Sequence, residues 1–233
     1  MKKQFWFCPL IVLGFLLILT NGCKKDDDNN NPTVTDIDGN VYTTVTIGTQ
    51  TWMVENLKTT KYRNGDPIPN ITDGTEWGNR STGAYCDYEN TPSNSTIYGK
   101  LYNWYAVGDS RNIAPTGWHV PSDAEWTTLI TYLGGEDVAA GKMKSTGTIE
   151  AGTGLWYSPN AGATNSSGFT GLPGGYRYPD GSFYFRASNG YWWSSSQGVS
   201  SEAWYRGLFY NYATVDRYRS NKAVGFSVRC LKD

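Results

Sequence analysis

The chain has 233 residues with 10 Trp, 17 Tyr and 27 Gly, and a formal net charge of -1. At ~100–200 residues per domain this is one domain or two small ones, and its near-neutral balance excludes a broad electrostatic grip on nucleic acid. Aromatics at 15% exclude a disordered chain, and the abundance of Gly, Trp, Tyr, Ser and Thr over Lys and Glu argues against a helical bundle.

Met1–Gln4 carries Lys2 and Lys3, and Phe5–Leu19 then runs without a charge. That run is shorter than the ~20 apolar residues a span needs, so it reads as an export signal. Leu19-Thr20-Asn21-Gly22-Cys23 resembles the lipobox of bacterial lipoproteins. The resemblance implies that residues 1–22 are removed and that Cys23 is lipidated. Lys24–Pro32 has no apolar residue, so 23–35 reads as a lipidated Cys and flexible tether. Its Lys-then-acidic run looks like the surface-export signal of Bacteroidota lipoproteins; an ordinary solvated spacer is the alternative. The expected place is the outer membrane, at the cell surface or on the periplasmic face, with membrane attachment through the lipid on Cys23. The folded domain is expected over 36–233.

Cys8 leaves with the signal and Cys23 carries lipid, so Cys86 and Cys230 remain. Outside the cytoplasm an isolated pair tends to oxidise, which makes these two a candidate disulfide.

Along the domain, Val41, Thr43, Val45 and Ile47 alternate with Tyr42, Thr44 and Thr46, and turn residues flank them. This predicts a β-hairpin over Val34–Met53. Residues 70–97 read as irregular, with a short strand at Ala84–Tyr88. Leu101, Trp104 and Tyr105 share a helical face, which predicts a short helix in Gly99–Val107. Ser122 and Glu125 form an S-x-x-E capping box, and Trp126, Leu129, Ile130 and Leu133 make one apolar stripe behind it. Gly134-Gly135 stops that helix, and a second runs through Val138–Lys144. Beyond Gly147, strands are expected at Gly168–Leu172, Gly181–Arg186, Gly190–Ser195, Ala203–Tyr210 and Gly225–Cys230. In the last, Phe226 and Val228 point one way, and Ser227 and Arg229 the other. The fold class is α+β.

Five ordered segments together resemble one family. They are Asp38–Tyr42 with Trp52-Met53 and Glu55-Asn56-Leu57; Gly99–Ala106; Pro115–Ser122 with Glu125-Trp126; Leu172–Arg177; and Tyr191–Ser195 leading to Gly225–Cys230. The chain looks like the Fibrobacter succinogenes major paralogous domain of Bacteroidota and Fibrobacterota surface lipoproteins. The resemblance implies a C-type-lectin-like fold with short, mostly antiparallel strands, one or two helices and long loops. It fixes architecture more firmly than activity.

Catalytic motifs are sparse. Formylglycine-generating enzymes share the implied fold but use a close Cys pair, whereas Cys86 and Cys230 are all that remain here. His119 is the only His, no G-x-S-x-G elbow is present, and the plainer reading of His119 is that it satisfies local backbone groups. Glu55, Asp66, Glu125 and Asp216 show no evident pairing. Asp36, Asp38 and Asn40 alternate oxygen ligands but lack an EF-hand's length and closing Glu. No dinucleotide or phosphate loop occurs, so no cofactor and no resident metal are expected. What remains is an aromatic and cationic stretch near the carboxyl end. Tyr205, Arg206, Tyr210, Asn211, Tyr212, Arg217 and Tyr218 are the candidate ligand-binding residues, because Tyr, Arg and Asn make large contacts at low ordering cost. Trp and Tyr faces also stack on sugar rings while Asn and Arg bond hydroxyls. Against this, strand aromatics are usually core, as expected for Trp192, Trp193 and Trp204. The arginines can stack on aromatics or pair with acids inside the fold. The expected function is non-catalytic display of a lectin-like domain that binds a glycan or a surface protein. The alternatives are an enzyme related to sulfatase modification and a structural surface-coat subunit.

Overall fold

The computed structural model describes residues 1–4 and 32–233. The run Phe5–Leu19, Cys8, Cys23 and residues 24–31, on which the signal, lipid and tether readings rest, lie outside the described residues. Met1–Asn30 and Asn31–Asp233 are separate units, and every element below lies in the second.

β1 (Thr33–Thr35) pairs antiparallel with β2 (Val41–Ile47), so the folded unit begins inside the stretch read as tether. The turn between them is held by Asp36, whose carboxylate accepts from the Asn40 N–H at 2.9 Å and the Tyr42 hydroxyl at 2.6 Å. β2 continues into β3 (Gln50–Met53), which confirms the predicted hairpin. Burial does not keep to one face: Tyr42, Thr44 and Ile47 are buried, while Val41 is 57% exposed. Tyr42 can go inside because Asp36 satisfies its hydroxyl. β12 (Leu231–Lys232) and β6 (Trp118–His119) complete a five-stranded sheet in the order β1-β2-β3-β12-β6.

The stretch read as irregular holds two short helices. Asp73 caps α1 (Gly74–Gly78) by accepting from the Glu76 N–H at 2.7 Å, and α2 (Pro92–Tyr98) opens on a proline. Neither has an apolar stripe long enough to be seen in sequence. β4 (Tyr85–Cys86) lies where a strand was expected and pairs with β5 (Leu101–Tyr102). The helix predicted for Gly99–Val107 therefore shrinks to α3 (Trp104–Val107), because Leu101 and Tyr102 are taken up by that pairing. α4 (Asp123–Tyr132) carries both halves of the capping box at Ser122 and Glu125, and α5 (Glu136–Met143) follows.

β7 (Gly174–Arg177) and β8 (Phe183–Arg186) form a hairpin, and β9 (Asn189–Gln197), β10 (Glu202–Phe209) and β11 (Val215–Asn221) form an antiparallel sheet in the order β11-β10-β9. β7 and β11 were not expected. β11 reads Val-Asp-Arg-Tyr-Arg-Ser-Asn, an edge strand whose polar residues hide the alternation. Gly168–Leu172 and Gly225–Cys230 are not strands: they make only isolated bridges, such as Trp192 with Ser227. Both faces of Gly225–Cys230 are buried, so Ser227 and Arg229 are as enclosed as Phe226 and Val228.

The β9–β10–β11 sheet divides two cores. Tyr191, Trp193, Ala203 and Phe226 belong to one, and Trp192, Leu208 and Val215 to the other, with Trp126 and Leu129 of α4. A smaller cluster holds Trp77, Cys86 and Tyr88. A fold with this much irregular backbone leaves many carbonyls without ladder partners, and buried cations serve them. Lys144 is fully buried, and its ammonium donates to the carbonyls of Ala161, Phe209 and Tyr212 at 2.8, 2.9 and 2.8 Å. Arg177 donates to Thr72 O at 2.8 Å, and to Ile71 O. Arg229 donates to Asn56 Oδ1 at 2.8 Å, and to Phe169 O.

Cys86 and Cys230 are not bridged. Each is a free, buried thiol, one beside Trp77 in the small cluster and the other in the main core. The expected disulfide is thus corrected: packing encloses the two thiols in different clusters.

Candidate functional site

The sequence candidates do not form one surface. Neighbouring strand residues point to opposite faces, and the β9–β10–β11 sheet separates them. On the α4 side, Arg206 is 1% exposed and donates to Asp123 Oδ1 at 2.8 Å, and Arg217 donates to Asp123 Oδ2 at 2.7 Å. Burial pushes the Asp123 carboxyl up, but bonds from Arg217 and Arg206 outweigh it and hold it below the usual carboxylate range. The Arg217 guanidinium also lies 3.9 Å from the ring centre of Trp204, with Arg219 at 5.4 Å. Trp204, expected inside, is half-buried under this cationic cover. Tyr210 packs on the same side, edge-on to Tyr157 at 6.3 Å. Asn211 and Tyr212 are exposed just beyond β10, where the Tyr212 carbonyl is bound by Lys144. The arginines of this side are consumed by internal pairing.

The other side of the sheet is aromatic. Tyr205 stands opposite Tyr218 in the β10–β11 register, and Gly207 stands opposite Asp216. Gly207 leaves room for the Phe209 ring, which would lie 3.2 Å from a Cβ there. Tyr205 rests on Phe226 at 4.8 Å and on Tyr191 at 5.8 Å. Tyr191 meets Tyr176 of β7 at 5.3 Å, and so joins the sheet to the β7–β8 hairpin.

On that hairpin Tyr176 is ringed by Tyr178, Tyr184 and Phe185 at 6.5, 5.6 and 5.8 Å. Tyr184 and Phe185 are consecutive yet lie 6.1 Å apart around the same ring. A regular strand would send them to opposite faces. Phe185 has φ of 62°, a left-handed conformation that bulky residues avoid, and this turns its ring to the side of Tyr184. Opposite it, Gly175 has φ of 65° and a Cβ there would lie 2.4 Å from the Tyr184 carbonyl, so only glycine fits. The result is a platform of Tyr178, Tyr184 and Phe185, 48, 41 and 51% exposed, which Tyr191 and Tyr205 connect to Tyr218, 59% exposed on β11. Asp216 stands two residues before Tyr218, on the same face of β11. Burial, with Glu136 adding, pushes its carboxyl above the ordinary value.

Of the sequence candidates, the platform takes in Tyr205 and Tyr218. Sequence reasoning missed Tyr176, Tyr178, Tyr184 and Phe185 as parts of a site. The signal was there as the aromatic density of residues 176–191, but it reads equally as core.

His119 does not serve backbone groups, as was expected. Its Nδ1 lies 2.6 Å from Asp233 Oδ1 and its Nε2 lies 3.0 Å from Glu125 Oε1, which ties β6 to the last residue and to α4. Glu125 is thus paired, and Asp66 bonds Arg111 at 3.1 Å. Among the described residues, no group of three or more His, Cys, Asp or Glu could hold a metal ion.

The family model of the Fibrobacter succinogenes major domain matches residues 45–232. No curated protein and no solved structure matches the chain. The match takes in all five helices, the β9–β10–β11 sheet and the platform and leaves out β1 and the start of β2, and the chain belongs to the Fibrobacter succinogenes major domain family.

Proposed function

We propose that this chain is an envelope lipoprotein, lipidated on Cys23, whose lectin-like domain binds a glycan without catalysis. The observation that carries the reading is the aromatic platform of Tyr176, Tyr178, Tyr184 and Phe185, continued across Tyr191 and Tyr205 to Tyr218 and Asp216 on β11. Apolar faces of sugar rings stack on such rings, and a carboxylate accepts from hydroxyls. A monomer that exposes this many large aromatics together pays a solubility cost that a ligand offsets. The protein reaches its ligand from a membrane, at the cell surface or in the periplasm. A surface protein is the other occupant that the platform would suit, since Tyr-rich surfaces also anchor protein partners.

The test is a glycan array probed with the full chain in detergent, beside Tyr184→Ala. Binding to a defined set of glycans that Tyr184→Ala loses supports the reading. Wild-type binding to none, or equal binding by both proteins, overturns it.

A further inference from the structure

Phe185 has a second face. On its far side the chain forms a groove of about 380 Å³, lined by Tyr88, Glu89, Tyr98, Tyr157, Phe185 and Arg186. Left-handed backbone gathers on its walls. Of its lining residues Glu89, Phe185 and Ala187 have φ of 55, 62 and 70°, and Asn90, next to Glu89, has φ of 51°. Bulky non-glycine residues hold this conformation at an energetic cost, and such positions cluster at ligand clamps.

The chemistry of the groove is mixed and self-neutralised. Arg186 Nη1 lies 3.4 Å from Glu89 Oε2 and donates to Asn94 Oδ1 at 2.8 Å. The Arg186 guanidinium lies 5.0 Å from the Tyr88 ring centre. An acceptor and a donor therefore stand side by side at the rim, spaced for two adjacent hydroxyls. Ring faces are open too, with Tyr157 44% and Phe185 51% exposed. The Tyr157 N–H donates to the Ala187 carbonyl at 2.8 Å, which pins this wall to the strained turn.

We infer that the groove is a second sugar subsite, taking one uncharged pyranose ring, with Phe185 as the wall it shares with the platform. The inference rests on the glycan reading above and adds the ring count and the charge of the ligand. A carboxylated sugar fits poorly, because its charge would face Glu89 and would have to break an existing ion pair to reach Arg186.

The experiment is saturation-transfer NMR on the full chain in detergent, with the methyl glycosides of glucose, galactose, mannose and glucuronic acid at about 10 mM, the range expected for one ring on an open site. Wild type, Tyr157→Ala, Glu89→Gln, the platform variant Tyr218→Ala and the control Tyr132→Ala are compared. Transfer to the ring protons of at least one neutral glycoside is expected, with none to the glucuronide. It should fall about threefold or more in Tyr157→Ala and in the conservative, exposed Glu89→Gln, and stay unchanged in Tyr132→Ala, which is exposed on α4 outside the groove and the platform. Loss in Tyr218→Ala alone leaves the platform standing and overturns the groove. Absence of transfer from every neutral glycoside, or equal transfer from the glucuronide, also overturns it.

Discussion

Arg217 and Tyr218 are adjacent on β11 and serve opposite sides of one sheet. Arg217 closes on Asp123 at 2.7 Å over Trp204, while Tyr218 stands across from Tyr205 on the aromatic side. One side is a cationic clamp that fixes α4 to the sheet, and the other is an aromatic face.

The clamp has a graded energetic signature. Arg206 is buried and its partner Asp123 is half-buried. Arg206→Ala should cost about 3–5 kcal/mol, because it leaves Asp123 short of a buried partner. Arg217→Ala, at the exposed end of the same carboxylate, should cost about 1 kcal/mol or less. Urea unfolding followed by tryptophan fluorescence measures both, and equal costs would contradict the division of roles.

Lys144 gives a pH-dependent prediction. Burial pushes its amine down to about 8 from an ordinary 10.5. Between those values the unfolded chain binds more protons than the folded one, so the contribution of this group to stability rises with pH. The urea midpoint of wild type should therefore climb, relative to that of Lys144→Met, as the buffer goes from neutral to alkaline. Lys144→Met should also be destabilised by about 2–4 kcal/mol at neutral pH, since three carbonyls lose their donor. A flat difference across that range would show that the ammonium is not desolvated.

The two thiols should be inert. Burial pushes the Cys86 thiol up to about 12 and raises that of Cys230 as well. Native protein should not release a thiol signal from either with an aromatic disulfide reagent, and both should react once denaturant is added. Reductant should leave the melting temperature unchanged, whereas loss of a real long-loop bridge costs about 2–5 kcal/mol.

Asp216 separates ligand binding from folding. Its raised carboxyl pKa means that the folded state binds more protons than the unfolded one around that pKa. Its contribution to stability therefore falls as pH rises through the carboxylate range. Asp216→Asn should weaken glycan binding by about three- to tenfold through the lost charged acceptor, while its melting temperature stays level or rises. A drop in stability together with unchanged binding would remove Asp216 from the site.

Several parts of this structure were legible in the sequence because a local rule dictates them. The capping box at Ser122 and Glu125 fixed the start of α4, and the turn chemistry around Gly48 fixed the β2–β3 hairpin. The α+β class followed from the same patterns. Elsewhere tertiary contacts decided. Tyr42 went inside because Asp36 was in reach of its hydroxyl, and Leu101 became a strand because Tyr85 and Cys86 were there to pair with it. The site was hidden for a related reason. Residues 205–218 look like one aromatic and cationic block, but a period of two sends alternate members to opposite faces. The β7–β8 hairpin supplies the missing rings through the left-handed turn at Phe185, which no hydrophobic pattern signals.

Mapping tyrosine nitration by mass spectrometry, with and without a glycan selected on the array, shows whether a glycan covers the platform. Tyr178, Tyr184 and Tyr218 should be protected by the glycan, while Tyr132, exposed on α4, should nitrate equally in both samples. Unchanged nitration of the three platform tyrosines under saturating glycan would contradict the account.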